Sequence, residues 1–256
     1  MELDKHKKAF GTIAENYSIY RKGYSHKLYS LFFMLTKEHP IVLDIGCGTG
    51  NSTEPLVHKT SHVFGVDHDA AMIAEAERNA EKKGLAITYK VAPAERLPFE
   101  DEMFGGAVSG AAFHWFATDE AVREIQRVLQ PKAPFVVFWV RDEETPNEDS
   151  INADIFKRYA WQVVPQKLWS QDTIKEIFEK NKFENVVTLS IPHIEKFTLD
   201  ERVGLETTSS AFALLSEEDK GAFIRDITED LKAKLGARTH FEIREQIKVV
   251  YGFKQE

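Results

Sequence analysis

The sequence predicts an α/β fold, a largely parallel sheet with helices packed on both faces. Three observations lead to it. Short apolar runs rich in β-branched residues alternate with longer amphipathic stretches between residues 41 and 140. Turn and stop residues fall between them, at Gly46, Asp67, Gly84 and Pro131. The runs recur at the spacing of strand–helix–strand units, whose parallel strands require a crossover helix.

The elements follow in order. Residues 6–37 read as helical, with Phe10, Ile13, Tyr17, Tyr20 and Tyr24 recurring at the three- and four-residue steps of one apolar face. A second helix is expected from Ser25 to about Lys37, ended before Pro40. Ile41–Ile45 is the first strand, stopped by Gly46, and a short helix is expected over 51–59. Val63–Val66 is the second strand, closed by Asp67, and Ala70–Lys83 is an Ala- and Glu-rich helix with Gly84 as its C-terminal stop. The third strand is Ile87–Val91 and the fourth is Phe104–Gly110. Asp119–Leu129 is a helix, and Phe135–Val140 is the fifth strand.

Beyond a polar loop at 142–150, helices are expected at 151–161 and 171–181 and a strand at 186–191. Residues 200–235 read as helices, with Ser216-Glu-Glu-Asp219 as a helix start, and the last strand is expected at 246–253. In such sheets ligands bind at the carboxyl ends of the strands, so the loops after the first four strands are where chemistry is expected.

Composition removes several function classes. A formal net charge of −8, with 41 acidic against 33 basic residues and no basic stripe, argues against nucleic acid as the partner. The single cysteine, Cys47, forbids an intrachain disulfide. The first residues lack the apolar run of a secretory signal, and the least polar stretch, 104–117, is too short and Gly-rich to span a bilayer. A cytoplasmic location with no membrane partner is therefore expected. The histidines show no ligand spacing, so no metal is expected.

The loop Asp44-Ile-Gly46-Cys-Gly48-Thr-Gly50 places three glycines where the backbone turns sharply and approaches a ligand closely. A dinucleotide fingerprint would need a glycine at Asn51, so that reading fails. An acid at the end of the strand would repel a pyrophosphate and attract an ammonium. Asp67 closes the second strand, where a carboxylate can accept both hydroxyls of a ribose. Asp69 is the better N-cap for the helix that follows.

Val42-Leu-Asp-Ile-Gly-Cys-Gly-Thr-Gly50 resembles the first motif of class I S-adenosylmethionine-dependent methyltransferases. Ala112-Phe-His-Trp-Phe116 is similar to the small-molecule subfamily that includes trans-aconitate methyltransferase-like proteins. The resemblance covers roughly residues 6 to 140. It implies a Rossmann-like, mostly parallel seven-stranded sheet with an antiparallel last strand, N-terminal helices and a helical cap. It implies one domain over 1–256: a cofactor-binding core with lid helices at 6–140, cap elements at 141–182 and 199–236, and last strands at 184–198 and 244–254.

The resemblance also implies S-adenosylmethionine as cofactor and a small-molecule methyl acceptor, a carboxylate or a hydroxyl. Asp44, Gly46, Cys47, Gly48 and Gly50 would meet the methionine end, with Cys47 a small wall residue and not a nucleophile. Asp67 would bind the ribose, with His68 and Met72 flanking the adenine; Met72 reads equally as core. Ala94 and Glu95 would recognise the adenine amino group, because Pro93 stands where many relatives carry an acid; Glu95 reads equally as a loop-holding acid. Relatives carry Phe-Asp at the start of the fourth strand, and here the pair is Phe104-Gly105. Gly110 ends that strand.

Trp115 would face the sulfonium and His114 would be the candidate general base, or both are structural. Tyr17 and Arg21 match the family's lid segment, with Arg21 either on the cofactor carboxylate or exposed. Trp161, Trp169, Phe212 and Phe223 either line an acceptor pocket or pack as cap core, and Arg141 is placed to meet an anionic acceptor. A non-catalytic S-adenosylmethionine-binding protein of the same fold remains a second reading.

Overall fold

The structure, a computed structural model, describes residues 6, 9–37, 40–142, 150–159 and 170–256. The strands are β1 Ile41–Ile45, β2 His62–Asp67, β3 Ile87–Val91, β4 Gly106–Gly110, β5 Pro134–Asp142, β6 Glu184–Phe197 and β7 Phe241–Phe253. The α-helices are α1 Ala14–Tyr20, α2 His26–Leu35, α3 Ala70–Lys83, α4 Asp119–Val128, α5 Ala153–Arg158, α6 Gln171–Lys180, α7 Leu199–Glu206, α8 Ser210–Ala213 and α9 Glu217–Leu235. The chain divides into two compact units. One comprises Met1–Lys22, Arg141–Val164 and Pro192–Gln246, the other Gly23–Val140, Pro165–Ile191 and Ile247–Glu256.

The described strands form one seven-stranded sheet in the order β3-β2-β1-β4-β5-β7-β6. The pairs β3–β2, β2–β1, β1–β4 and β4–β5 are parallel, and the last strands run antiparallel. The strand order reverses between β1 and β4. That switch point opens a crevice at their carboxyl ends, because the following connections leave to opposite sides.

In the second unit, period-two alternation splits each central strand between two cores. Leu43, Ile45, Val137 and Trp139 join Ile125 and Phe178 in one buried cluster. Val42, Val108, Val136 and Phe138 join Leu28, Phe32 and Leu56 in another. Each fully buried side chain of this size contributes on the order of 2 kcal/mol of transfer free energy.

Local signals account for the helix ends. Asp69 Oδ1 accepts the backbone N–H of Ala71 at 2.8 Å and caps α3, and Gly84 closes it in the left-handed region at φ +65°. Thr118 caps α4 and Ser216 caps α9, each through its side chain. In the first unit, α9 buries Phe223, Ile227 and Leu231 against Phe212, Phe241 and Ile243.

Several expected boundaries are corrected. The N-terminal helical stretch is a 3-10 turn at Phe10–Ile13 followed by α1, which stops at Tyr20, and Arg21 is extended at φ −79° and ψ 105°. The expected helix at 51–59 is a turn followed by a 3-10 segment at Glu54–Lys59, because Pro55 lies at its start and Ser52 and Thr53 turn their hydroxyls to Asp44. β4 begins at Gly106, and Phe104 makes only an isolated bridge to Leu129. Past Tyr159, the helix expected over 151–161 lies outside the described residues, as does most of the 142–150 loop. Among the described residues no helix is long and apolar enough to cross a membrane.

Candidate functional site

The carboxyl end of β1 delivers Asp44 into the interior with no exposed surface. Ser52 Oγ and Thr53 Oγ1 donate to its Oδ2 at 2.6 and 2.7 Å. Its Oδ1 has no hydrogen-bond partner among the described residues. Desolvation pushes the Asp44 carboxyl up to about 6; the two hydroxyl bonds oppose the rise and the neighbouring Asp67 charge adds to it. A buried carboxylate with one engaged oxygen is a strong attractor for a cation.

The loop beyond it runs through three left-handed glycines, Gly46, Gly48 and Gly50, at φ +72°, +53° and +94°. A Cβ on Gly46 would stand 2.5 Å from Ala112 Cβ, and one on Gly50 would stand 2.6 Å from the Tyr89 hydroxyl. A Cβ on Gly48 would meet nothing within 4 Å. The expectation that all three admit a ligand narrows accordingly: Gly46 and Gly50 are required by the protein's own packing, and Gly48 keeps an open approach. Cys47 points inward, under α3, in a cluster with Ile73, Ala76, Ala80 and Tyr89. Burial pushes its thiol up, the opposite of an activated nucleophile.

Asp67 stands beside this loop at the end of β2. Its Oδ2 accepts the Gly48 N–H at 3.0 Å, and its Oδ1 accepts the Asp69 N–H at 3.0 Å. The His68 ring is tethered to the same Oδ1 through Nδ1 at 3.0 Å. Each carboxylate oxygen offers about two acceptor directions, so Oδ2 retains capacity for a hydroxyl while the Asp69 amide and the His68 ring occupy Oδ1. Met72, on the first turn of α3, is 3% exposed.

After β3, Ala94 is buried in the core and Glu95 is exposed. The loop is held by other groups: Glu124 accepts the Leu97 N–H at 2.8 Å, and Arg127 donates to the carbonyls of Phe99 at 2.8 Å and Leu97 at 3.1 Å. Glu124 and Arg127 pair with each other at 2.8 Å.

At the end of β4, a Cβ on Gly110 would press on Phe138 at 2.8 Å and Ser52 at 3.0 Å. Ala111 is held at φ +49° by its N–H bond to the Phe138 carbonyl at 2.7 Å. This is a strained position for an alanine, and it turns the chain into the 3-10 segment Phe113–Trp115. His114 is 5% exposed, with its ring 4.6 Å from that of the half-buried Trp115. A cavity of only about 10 Å³ lies against His114, Phe138, Trp139 and Ile174.

A family signature described as a methyltransferase domain matches residues 43–137. The chain is 28% identical over 171 residues to malonyl-[acyl-carrier protein] O-methyltransferase of Brevibacillus brevis, covering 61% of this chain and 62% of that protein. It is 33% identical over 119 residues to the ubiquinone/menaquinone biosynthesis C-methyltransferase of Bartonella henselae, covering 44% and 46%. The matches to these two curated relatives thus span less than two thirds of their lengths. A candidate type II methyltransferase from Anaeromyxobacter dehalogenans superposes with a TM-score of 0.71 at 23% identity, over 92% of this chain and 98% of that one. The segment at the centre of the sheet thus carries a methyltransferase-domain signature, and the relatives that the chain resembles are methyltransferases.

The other expected residues fall elsewhere. Tyr17 and Arg21 belong to the first unit. There Arg21 Nε donates to Thr208 Oγ1 at 2.8 Å and its guanidinium lies 5.6 Å from the Tyr17 ring centre. Phe212 and Phe223 are buried in that unit's core, the second of the two roles considered for them. Arg141 is half-buried on β5. Trp161 and Trp169 lie outside the described residues.

Sequence reasoning missed Ser52, Thr53, Glu124 and Arg127. The hydroxyl pair two residues after Gly50, beyond Asn51, is the one signal that the sequence offered for the first two.

Proposed function

We propose that this protein moves a methyl group from S-adenosylmethionine to an oxygen of a small-molecule acceptor, a carboxylate or a hydroxyl. The observation that carries the reading is the pairing of Asp44 and Asp67 around the open Gly48. One oxygen of a fully buried carboxylate has no protein partner, and the second carboxylate has acceptor capacity beside a backbone left bare of side chain. These features fit an ammonium at the methionine end and a ribose diol next to it. Ser52 and Thr53 orient Asp44, and the Gly48 and Asp69 amides orient Asp67.

Met72, His68, Ala94 and Glu95 are the proposed surroundings of the adenine. Because Glu124 and Arg127 hold the loop, Glu95 is spared that task. The cofactor supplies a methyl group already activated by a positively charged sulfur. The protein's part is to align the acceptor and exclude water. Ala111 turns His114 and Trp115 inward at the end of β4, and we assign His114 as the general base for a hydroxyl acceptor.

An acceptor carboxylate agrees with the O-methyltransferase among the relatives and needs no base. His114→Ala therefore separates the two acceptor types. A hydroxyl acceptor predicts turnover reduced by roughly 10²–10⁴, and a carboxylate predicts little change. A net charge of −8 favours a small molecule over nucleic acid. The lone, buried, free cysteine supports a cytoplasmic location. The test is a mass-spectrometric screen of carboxylic and hydroxy acids with S-adenosylmethionine. A +14 Da product that Asp44→Asn and Asp67→Ala abolish is expected. Cofactor binding with no product across the screen would favour the non-catalytic reading.

A further inference from the structure

Around the loop that follows β1, several buried oxygens lack a protein hydrogen-bond partner among the described residues. They are Tyr29 Oη on α2, Asp44 Oδ1 on β1, Thr49 Oγ1 in the loop, Glu54 Oε1 at the start of the 3-10 segment and Tyr89 Oη on β3. Unpaired buried polar atoms are few in folded proteins, so several around one loop need a common cause. α2 packs against the 3-10 segment, and Tyr29 shares a core cluster with Leu56 and with Val42, which lies two residues before Asp44 on the same face of β1. The set contains hydroxyl donors, Tyr29, Thr49 and Tyr89, and carboxylate acceptors, Asp44 and Glu54. Direct donation would satisfy them, and the structure does not make those bonds. Buried donors and acceptors around one loop that the protein's own groups leave unsatisfied are the setting in which a water molecule bridges.

We propose that Tyr29 is a positioning residue for the cofactor site, its hydroxyl joined to Asp44 Oδ1 through a buried water that keeps Asp44 ionised. This rests on the reading that Asp44 attracts the cofactor's ammonium. Burial first, then the charges of Tyr24, Asp44 and Glu54, push the Tyr29 hydroxyl well above its ordinary value, so it stays a donor at any working pH. The groups facing Asp44 are Ser52 and Thr53 on Oδ2, Asp67 from β2, Tyr89 from β3 and Tyr29 from α2. Of these, Ser52 and Thr53 favour the charged form and Asp67 opposes it. A water held by Tyr29 would add a donor on the oxygen that those two hydroxyls do not serve.

The experiment is a calorimetric titration with S-adenosylhomocysteine across about pH 5 to 8 for the wild type, Tyr29→Phe and Asp44→Asn. Wild-type affinity is expected to fall as pH falls through the Asp44 titration. In Tyr29→Phe that midpoint should move upward by about one pH unit, giving roughly a fivefold loss at pH 6 that shrinks as pH rises. Asp44→Asn should flatten the profile. Failure of the wild type to bind at any pH overturns the cofactor reading beneath this inference. Wild-type binding with a superimposable Tyr29→Phe profile overturns the inference alone. A high-resolution crystal structure is the second readout. A water within about 3 Å of both Tyr29 Oη and Asp44 Oδ1 is expected, and direct contact between the two, or another side chain on Oδ1, contradicts it.

Discussion

Asp44 is costly to the empty fold. Its carboxyl rises from 3.8 to about 6 on burial, so the folded protein prefers it protonated. The stability linked to that preference is fully present below pH 3.8 and is lost as pH rises through about 6. At neutral pH the charged form therefore costs roughly 3 kcal/mol, at about 1.4 kcal/mol per pH unit. Asp44→Asn should then melt several degrees higher than the wild type at pH 7 to 8 while binding S-adenosylhomocysteine at least tenfold more weakly, on the order of a lost charge-assisted bond. Calorimetry and a thermal melt check both, and a variant that is less stable and binds normally would remove Asp44 from the site.

Asp67→Ala should lose tenfold or more in affinity. It should also cost about 1–3 kcal/mol of stability, because the Gly48 and Asp69 amides lose their acceptor. Both acids were legible in the sequence because each ends an apolar run beside a turn. Ser52 and Thr53 were not, since nothing in a residue list says that the chain after Gly50 folds back onto Asp44.

At the scale of elements, the glycine loop divides into positions that packing demands and one that it does not. Gly46→Ala forces a Cβ against Ala112 at a left-handed φ and should destabilise by about 2–4 kcal/mol, combining overpacking with backbone strain. Gly48→Ala carries the strain without the clash and should cost only about 1–2 kcal/mol while weakening cofactor binding. Parallel urea melts of the two variants test the distinction, and equal losses would contradict it. Arg127 clamps the loop after β3 through the Leu97 and Phe99 carbonyls and Glu124, so Arg127→Ala should cost roughly 1–3 kcal/mol and loosen that loop, readable by hydrogen exchange at Arg96–Glu100.

Elements with strong local signals were legible, as with α3 between Asp69 and Gly84. β6 and β7 run further than their apolar cores suggested, because their outer parts carry His193, Glu195, Arg244 and Glu245 on half-exposed faces, which read as polar sequence. Gly106 is the place where Phe32 and Thr36 of the α2 region press onto β4, with a Cβ there only 2.9 Å from Thr36 Cγ2.

At the scale of the molecule, strand alternation predicted the parallel centre of the sheet, and the reversal between β1 and β4 fixes where a ligand meets it. The acceptor was not legible. Fold sets where a ligand meets the sheet, and it does not by itself choose the acceptor.

A ligand that binds only the folded state stabilises the whole chain, by about 2.7 kcal/mol at a hundredfold excess over its dissociation constant. For a protein of this size that is a rise in melting temperature of roughly 5–10 °C. The most direct test is therefore a thermal-shift titration of the wild-type protein with S-adenosylmethionine, S-adenosylhomocysteine and NADH at pH 7.5. A saturable rise of about 5–10 °C with the first two, absent with NADH and clearly reduced in Asp67→Ala, is the expected result. A rise with NADH, or none with either sulfur ligand, would contradict the assignment of the Asp44–Gly48–Asp67 site.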